Sequence, residues 1–127
     1  MAIRKEFNLR LQNSPGALGK VCQYLADEKV GIQAFSLDSG GTLRMVVDNP
    51  LNAVGILREK QYVLEERDVL LLQLPNEAGA LYKATRLLDS AGVNVEHAYA
   101  CSVEAQPMTS VVVAVDDIER ASMVAGV

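Results

Sequence analysis

The stretch Leu11–Val21, LQNSPGALGKV, returns as LPNEAGALYKA at Leu74–Ala84, a spacing of 63 residues. Without any gap, that spacing aligns Leu9 with Leu72, Asn13 with Asn76, Gly16 with Gly79, Leu18 with Leu81, Lys20 with Lys83, Leu25 with Leu88 and Val30 with Val93. Such a chain is built from two copies of one supersecondary unit, each too small to hold much of a core without leaning on its neighbour. A second echo, VDNPLNA from Val47 against VDDIERA from Val115, falls at a spacing of 68. The second copy therefore carries five extra residues between its middle strands, an insertion that a hairpin loop absorbs. The expected domains are 1–67 and 68–127, joined by a short charged connection around Glu65, Glu66 and Asp68 rather than a flexible linker.

Within each copy the hydrophobic period changes in a fixed order. Phe7, Leu9 and Leu11 alternate with Glu6, Asn8 and Arg10, which describes a half-buried strand. Leu18, Val21, Cys22 and Leu25 then make the i, i+3, i+4, i+7 stripe of a helix, expected to open with Ser14 as N-cap and Pro15 in its first turn. Leu81, Ala84, Thr85 and Leu88 repeat the stripe in a helix expected over 76–91. Strands are expected over Val30–Leu37 and Thr42–Val47 around an Asp-Ser-Gly-Gly turn, then a helix capped by Asp48 or Asn49, then a short strand over Tyr62–Glu66. The order is βαββαβ, which folds as a ferredoxin-like sandwich with both helices on one face of an antiparallel sheet. The second copy supplies strands over Val69–Leu74, Val93–Cys101 and Thr109–Val115, and a helix from Asp116 or Asp117, before the sequence ends at Val127. The fold class is thus α+β, two ferredoxin-like βαββαβ units with the second lacking its last strand. An unpaired sheet edge invites aggregation, so another segment or subunit is expected to cover it.

Composition excludes several functions. The net charge is −4, and the twelve Lys and Arg residues are scattered singly among sixteen acids, which gives nucleic acid or a membrane surface no basic stripe to bind. No apolar run approaches the roughly 18 residues of a spanning helix, and Met1–Phe7 is charged where a signal peptide is apolar, so a cytoplasmic protein is expected. Two cysteines, Cys22 and Cys101, lie far apart beside a single histidine. They are expected to be buried thiols, with neither a metal site nor a disulfide. No base or nucleophile pair is spaced for catalysis, so no catalytic residue and no cofactor are expected.

A strand followed by NSPGAL or NEAGAL, a leucine-striped helix and then VNVEHAYA resembles the ACT domain, and the tandem resembles small stand-alone double-ACT proteins. The resemblance covers nearly the whole chain. It implies a regulatory sensor that binds amino acids at the junction of paired domains, near the glycine of the loop between first strand and first helix. Around that loop the chain is also similar to the serine-responsive regulatory domains of phosphoglycerate dehydrogenase, where an asparagine before the glycine and another at the start of the second strand contact the ligand. Carried over by position, these implications fall on Asn13, Ser14, Gly16 and Ala17 in the first copy and on Asn76, Glu77, Gly79, Ala80, Asn94 and His97 in the second. The first copy departs from the pattern, with Gly31 where the second has Asn94, so the second copy is the favoured site.

These positions have physical rationales of their own. A helix N-terminus offers unpaired N–H groups to a carboxylate, and a glycine there lets the ligand approach closely or simply lets the loop pack tightly. An asparagine amide donates to a carboxylate and accepts from an ammonium group, or equally caps and turns its own backbone. His97 and Tyr99 lie two apart and share a strand face, expected to hold Val93 and Val95 as well, that lines either a ligand pocket or an interface. Lys20 and Lys83 recur at equivalent helix positions where they could attract an anion, but they fall off the apolar stripe and are read as solvated. The expected function is an amino-acid-binding regulatory protein, a homodimer reporting through association or shape change. The alternative is an interaction subunit of a separate metabolic enzyme.

Overall fold

The structure, a computed structural model, describes residues 2–124 of the chain. Its elements run β1 (Ala2–Arg10), α1 (Ala17–Asp27), β2 (Ile32–Leu37), β3 (Thr42–Val47), α2 (Pro50–Glu59), β4 (Glu65–Pro75), α3 (Ala80–Ser90), β5 (Val95–Ala100), β6 (Met108–Val115) and α4 (Ile118–Val124). By compactness the chain falls into two units, one of Lys5–Arg67 and the other of the remainder. Each has the α+β ferredoxin-like plan read from the sequence. The strands expected over Tyr62–Glu66 and Val69–Leu74 are one strand, β4, whose interior holds no glycine or proline to break it. The second unit takes in Ala2–Arg4, the start of β1, from the other end of the sequence.

In the first unit β3 pairs antiparallel with both β1 and β2, with Phe7 opposite Met45 and Leu37 opposite Leu43. In the second, β6 pairs antiparallel with β4 and β5, with Leu72 opposite Val111 and Ala100 also opposite Val111 on the other side. A β-bulge falls between Ile32 and Ala34 in one unit and between Val95 and His97 in the other, the same step of the repeat. The five extra residues fall between the middle strands, as expected, three of them lengthening the β5–β6 loop and two extending the start of β6.

Each unit has its own core. Phe7, Leu9, Leu43, Met45 and Val47 of the sheet bury Val21 and Leu25 of α1 and Ala53 and Leu57 of α2. Leu70, Leu72, Val111, Val113 and Val115 bury Ala84 and Leu88 of α3 and Ala121 of α4. The two remaining stripe residues of α3, Leu81 and Thr85, are exposed. Asn49 caps α2 by accepting a hydrogen bond from the Asn52 N–H at 3.2 Å, with Pro50 in the first turn, where its missing donor costs nothing. Asp48 and Asp116, expected as helix caps, do something else. Each carboxylate accepts the N–H of the residue opening the second strand of its unit, Gly31 or Asn94, at 2.9 Å. Asp117 caps α4 through the Arg120 N–H at 3.0 Å. Cys22 is half-buried and Cys101 is exposed in the β5–β6 loop, so the expectation of two buried thiols fails at Cys101, which the insertion carries away from the core.

Candidate functional site

Sequence and backbone together shape the loop after β1 into a tight turn at the start of α1. Pro15 presets its own φ, and Gly16 follows with φ 87° and ψ −9°, the second corner of a type II turn closed by the Ala17 N–H donating to the Ser14 carbonyl at 3.3 Å. The N-cap of α1 is therefore Gly16, not Ser14, and the helix starts two residues later than Pro15. Gly79 repeats the geometry at φ 87° and ψ −10°, with Ala80 donating to the Glu77 carbonyl, which moves the start of α3 from 76 to 80. A Cβ at Gly16 or Gly79 would meet nothing within 4 Å, so tight loop packing is not what demands glycine there; the positive φ is.

Neither helix has a side-chain cap or an acid in its first turn. The first-turn N–H groups and the positive end of the helix dipole thus face the loop without a protein counter-charge. Both copies instead place a lysine, Lys20 or Lys83, one residue past the first turn, the wrong sign for the helix and the right one for a bound carboxylate. In the first unit a cavity of about 250 Å³ opens there, lined by Arg10, Gln12, Ser14, Gly16, Lys20 and Tyr62 among others. A smaller one of about 140 Å³ shares Ser14, Gly16 and Ala17 and adds Asn13. Arg10 is held by donating to the Gly40 carbonyl at 2.9 Å. Tyr62 rests edge-on to Tyr24 with ring centroids 6.4 Å apart. Burial, and then the Tyr24 phenol, push its hydroxyl above the ordinary 10.0.

The second unit treats the same loop differently. The Asn76 side-chain amide donates to the carbonyls of Val103 at 3.0 Å and Gln106 at 2.9 Å, while its backbone N–H donates to the Pro107 carbonyl at 2.9 Å. All its donors are spent on the inserted loop, and only the side-chain oxygen is left to meet a ligand. Asn13, its counterpart, is exposed beside the smaller cavity.

Asn94 stands apart from this loop. It opens β5 and exchanges hydrogen bonds with Asp116, whereas the Asn76–Gly79 loop follows Pro75, which pairs with Met108 at the other end of β6. Seven residues of β6 separate the two ends, about 24 Å at the usual strand rise. Within the unit these two expected contacts do not meet. At Gly31 a Cβ would lie 2.7 Å from the Asp48 carboxylate, which would have to shift, although Asn94 keeps the equivalent bond to Asp116 with a side chain present. His97 also falls away from the loop. The bulge after Val95 sets His97 opposite Ala114 and Tyr99 opposite Val112, with the two rings stacked at 6.4 Å, while Val95 faces the core side opposite Val115. The expected face of Val95, His97 and Tyr99 is therefore split by one inserted residue.

Sequence reasoning missed Arg10 and Tyr62, and read Lys20 as solvated, where the three line one cavity. The recurrence of Lys20 as Lys83 was the available signal; Tyr62 has no counterpart in the repeat and carried none. Among the described residues no group of three or more His, Cys, Asp or Glu stands close enough to hold a metal ion, and no helix is long and apolar enough to cross a membrane.

Two ferredoxin-like repeats, each with a glycine turn at the start of its first helix, define a tandem domain pair rather than an isolated ferredoxin-like domain. The chain belongs to the ACT domain family in its paired form: the model of the ACT domain pair matches residues 1–125. Among solved structures it is similar to protein BT0572 from Bacteroides thetaiotaomicron, with 26% identity and a TM-score of 0.89 over 96% of this chain and 85% of that one. It shares its fold with the regulatory subunit of aspartate kinase from Thermus thermophilus, at 18% identity and a TM-score of 0.73 over 98% and 92%. It also shares it with E. coli aspartokinase III in complex with lysine and aspartate, at 16% and 0.61 over 98% of this chain and 31% of the enzyme. No curated protein matches the sequence.

Proposed function

We propose that this chain is a non-catalytic cytoplasmic sensor that binds a free amino acid at the loop around Gly16 and reports it through a change in self-association. The observation that carries the reading is the uncapped start of α1, with Lys20 beside it and an open cavity of about 250 Å³ in front of it. That is room for a small zwitterion. In that cavity the ligand carboxylate meets the Gly16–Ala17 helix start and Lys20, and its ammonium and side chain meet Ser14 and the Tyr62 hydroxyl, while Asn13 borders the smaller cavity beside it. Between the two copies the geometry favours the first unit, because the insertion ties up Asn76. Glu77, Gly79, Ala80 and the Asn76 side-chain oxygen form a second, more restricted site of the same design, with Asn94 and His97 outside it. Aspartokinase III, whose structure holds lysine and aspartate, supports amino acids as the ligand class.

Thermal unfolding against each of the twenty amino acids at millimolar concentration tests this reading. A ligand at 100 times its Kd stabilises by about 2.7 kcal/mol, and in Lys20→Ala the shift at the same ligand concentration should fall to about half to two thirds of that. No shift with any amino acid sinks it. A second reading is favoured by the likeness to a regulatory subunit of aspartate kinase: the chain acts as a subunit bound to a separate metabolic enzyme. Its mark would be co-purification with that enzyme in stoichiometric amount.

A further inference from the structure

The cavity of about 250 Å³ in front of Gly16 carries more positive charge than one carboxylate needs. Arg10 and Lys20 both line it, and none of its lining residues is an Asp or a Glu. Arg10 stands at the end of β1 and spends one guanidinium nitrogen on the Gly40 carbonyl at 2.9 Å, which holds the group in place and leaves most of its donors for another partner. Among the described residues neither Arg10 nor Lys20 has an ion-pair partner. Asp38, which borders the smaller cavity, is engaged elsewhere, by the Arg44 guanidinium at 3.7 Å and the Thr42 N–H at 3.1 Å.

The second copy supplies a comparison within the same chain. At the spacing of 63 residues Arg10 becomes Gln73, whose side-chain oxygen accepts from the Ser110 hydroxyl at 3.1 Å, and Ser14 becomes Glu77, while the lysine is kept as Lys83. The first copy thus sets two cations and no acid around its loop, and the second sets one of each. A zwitterion with a neutral side chain matches the second set. The first set has no counter-charge for an ammonium group and one cation beyond what a single carboxylate neutralises.

We propose that the first-unit site selects a ligand with two carboxylates and, resting on the amino-acid reading above, that this ligand is an acidic amino acid. One carboxylate meets Lys20 and the helix start. The other meets the Arg10 guanidinium, whose planar fork matches a carboxylate, and the Ser14 and Tyr62 hydroxyls accept from the ammonium group. Asparagine and glutamine, equal in size to the acids and lacking the second charge, leave Arg10 unneutralised and are the competitors that the site rejects. Both cations are solvent-exposed, so water and salt screen them and the discrimination expected is about tenfold.

Calorimetry on the full chain compares aspartate, glutamate, asparagine, glutamine and succinate as ligands of the wild type, Arg10→Gln and Arg10→Lys. Arg10→Gln installs the residue that the second copy carries at this step, and a far-UV melt checks that both variants fold. In the wild type one of the two acids should bind about tenfold or more tightly than its own amide and more tightly than succinate. Arg10→Gln should bring that acid and its amide within about threefold of each other, and Arg10→Lys should keep part of the preference, since it retains the charge and loses the fork. An amide that binds as tightly as its acid, or a preference that survives Arg10→Gln, overturns the proposal and leaves the amino-acid reading standing. Succinate binding as tightly as the acid overturns an amino acid as the source of the two carboxylates. No binding by either acid overturns the proposal too, while the melt against all twenty amino acids decides the broader reading on its own.

Discussion

Replacing Gly16, Gly79 and Gly41 one at a time with alanine separates backbone strain from steric conflict, because all three have φ between 87° and 88°. An L-residue held in the left-handed region costs about 1–2 kcal/mol. At Gly16 and Gly79 a Cβ meets nothing within 4 Å, so strain is the whole cost, and each variant should lose about 1–2 kcal/mol. At Gly41 the Cβ runs into the backbone carbonyl oxygen of Leu11, and the Leu11 N–H is bonded to the Gly41 carbonyl at 2.7 Å. That backbone cannot yield without breaking the β1 to β3 closure, so Gly41→Ala should lose clearly more, above about 3 kcal/mol. Gly16→Asn should recover part of the loss of Gly16→Ala, because asparagine tolerates this region better than alanine does. The assay is urea unfolding at a fixed slope, read as the midpoint shift. A neutral Gly16→Ala, or a Gly41→Ala no worse than it, would refute the assignment of strain and contact at these turns.

Other outcomes follow from the same geometry. Lys20→Ala should weaken amino-acid binding about fivefold to tenfold by calorimetry without lowering the melting temperature, since the lysine makes no ion pair with a described residue and its position disfavours the free helix. Asn76→Ala removes two hydrogen bonds to the inserted loop and should cost about 1–2 kcal/mol, with faster amide exchange confined to residues 101–107. Tyr62 has a folded-state pKa above its unfolded value of 10.0, so the stability it contributes is complete below pH 10.0 and falls as pH rises through the folded value. Tyr62→Phe should therefore flatten the loss of stability that denaturant melts record on going from about pH 9 to 11.

The fold was legible because its signals repeat. A stripe such as Leu18, Val21, Leu25 can be misread once, but its return as Leu81, Ala84, Leu88 at constant spacing fixes element type and order together. Boundaries were less legible where a competing backbone motif intervened. Pro15-Gly16 looks like a capped helix start, yet proline at one corner and glycine at the next also specify a type II turn, and the turn took the residues. Asp48 and Asp116 carry the right side chain for capping, but each has a strand N–H within reach across the unit, a partner no local pattern contains. The candidate site was legible only in its local half. Asn13, Ser14, Gly16 and Ala17 are neighbours in sequence, whereas Tyr62 reaches the cavity by folding, and Asn94 lies at the end of β5 far from the loop beside which a linear motif puts it.

The bulge at Gln33 acts as a phase slip. A strand is a wave of period two, and one unpaired residue shifts everything after it by half a wavelength, which is why Ile32 and Phe35 face the same side although they are three apart. The side that Phe35, and with it Leu37, presents is thus set by the length of the chain at residue 33 and not by what side chain stands there. Gln33 should accept most substitutions, yet its deletion would turn the remaining strand over as a set, a change that no point substitution within β2 can produce.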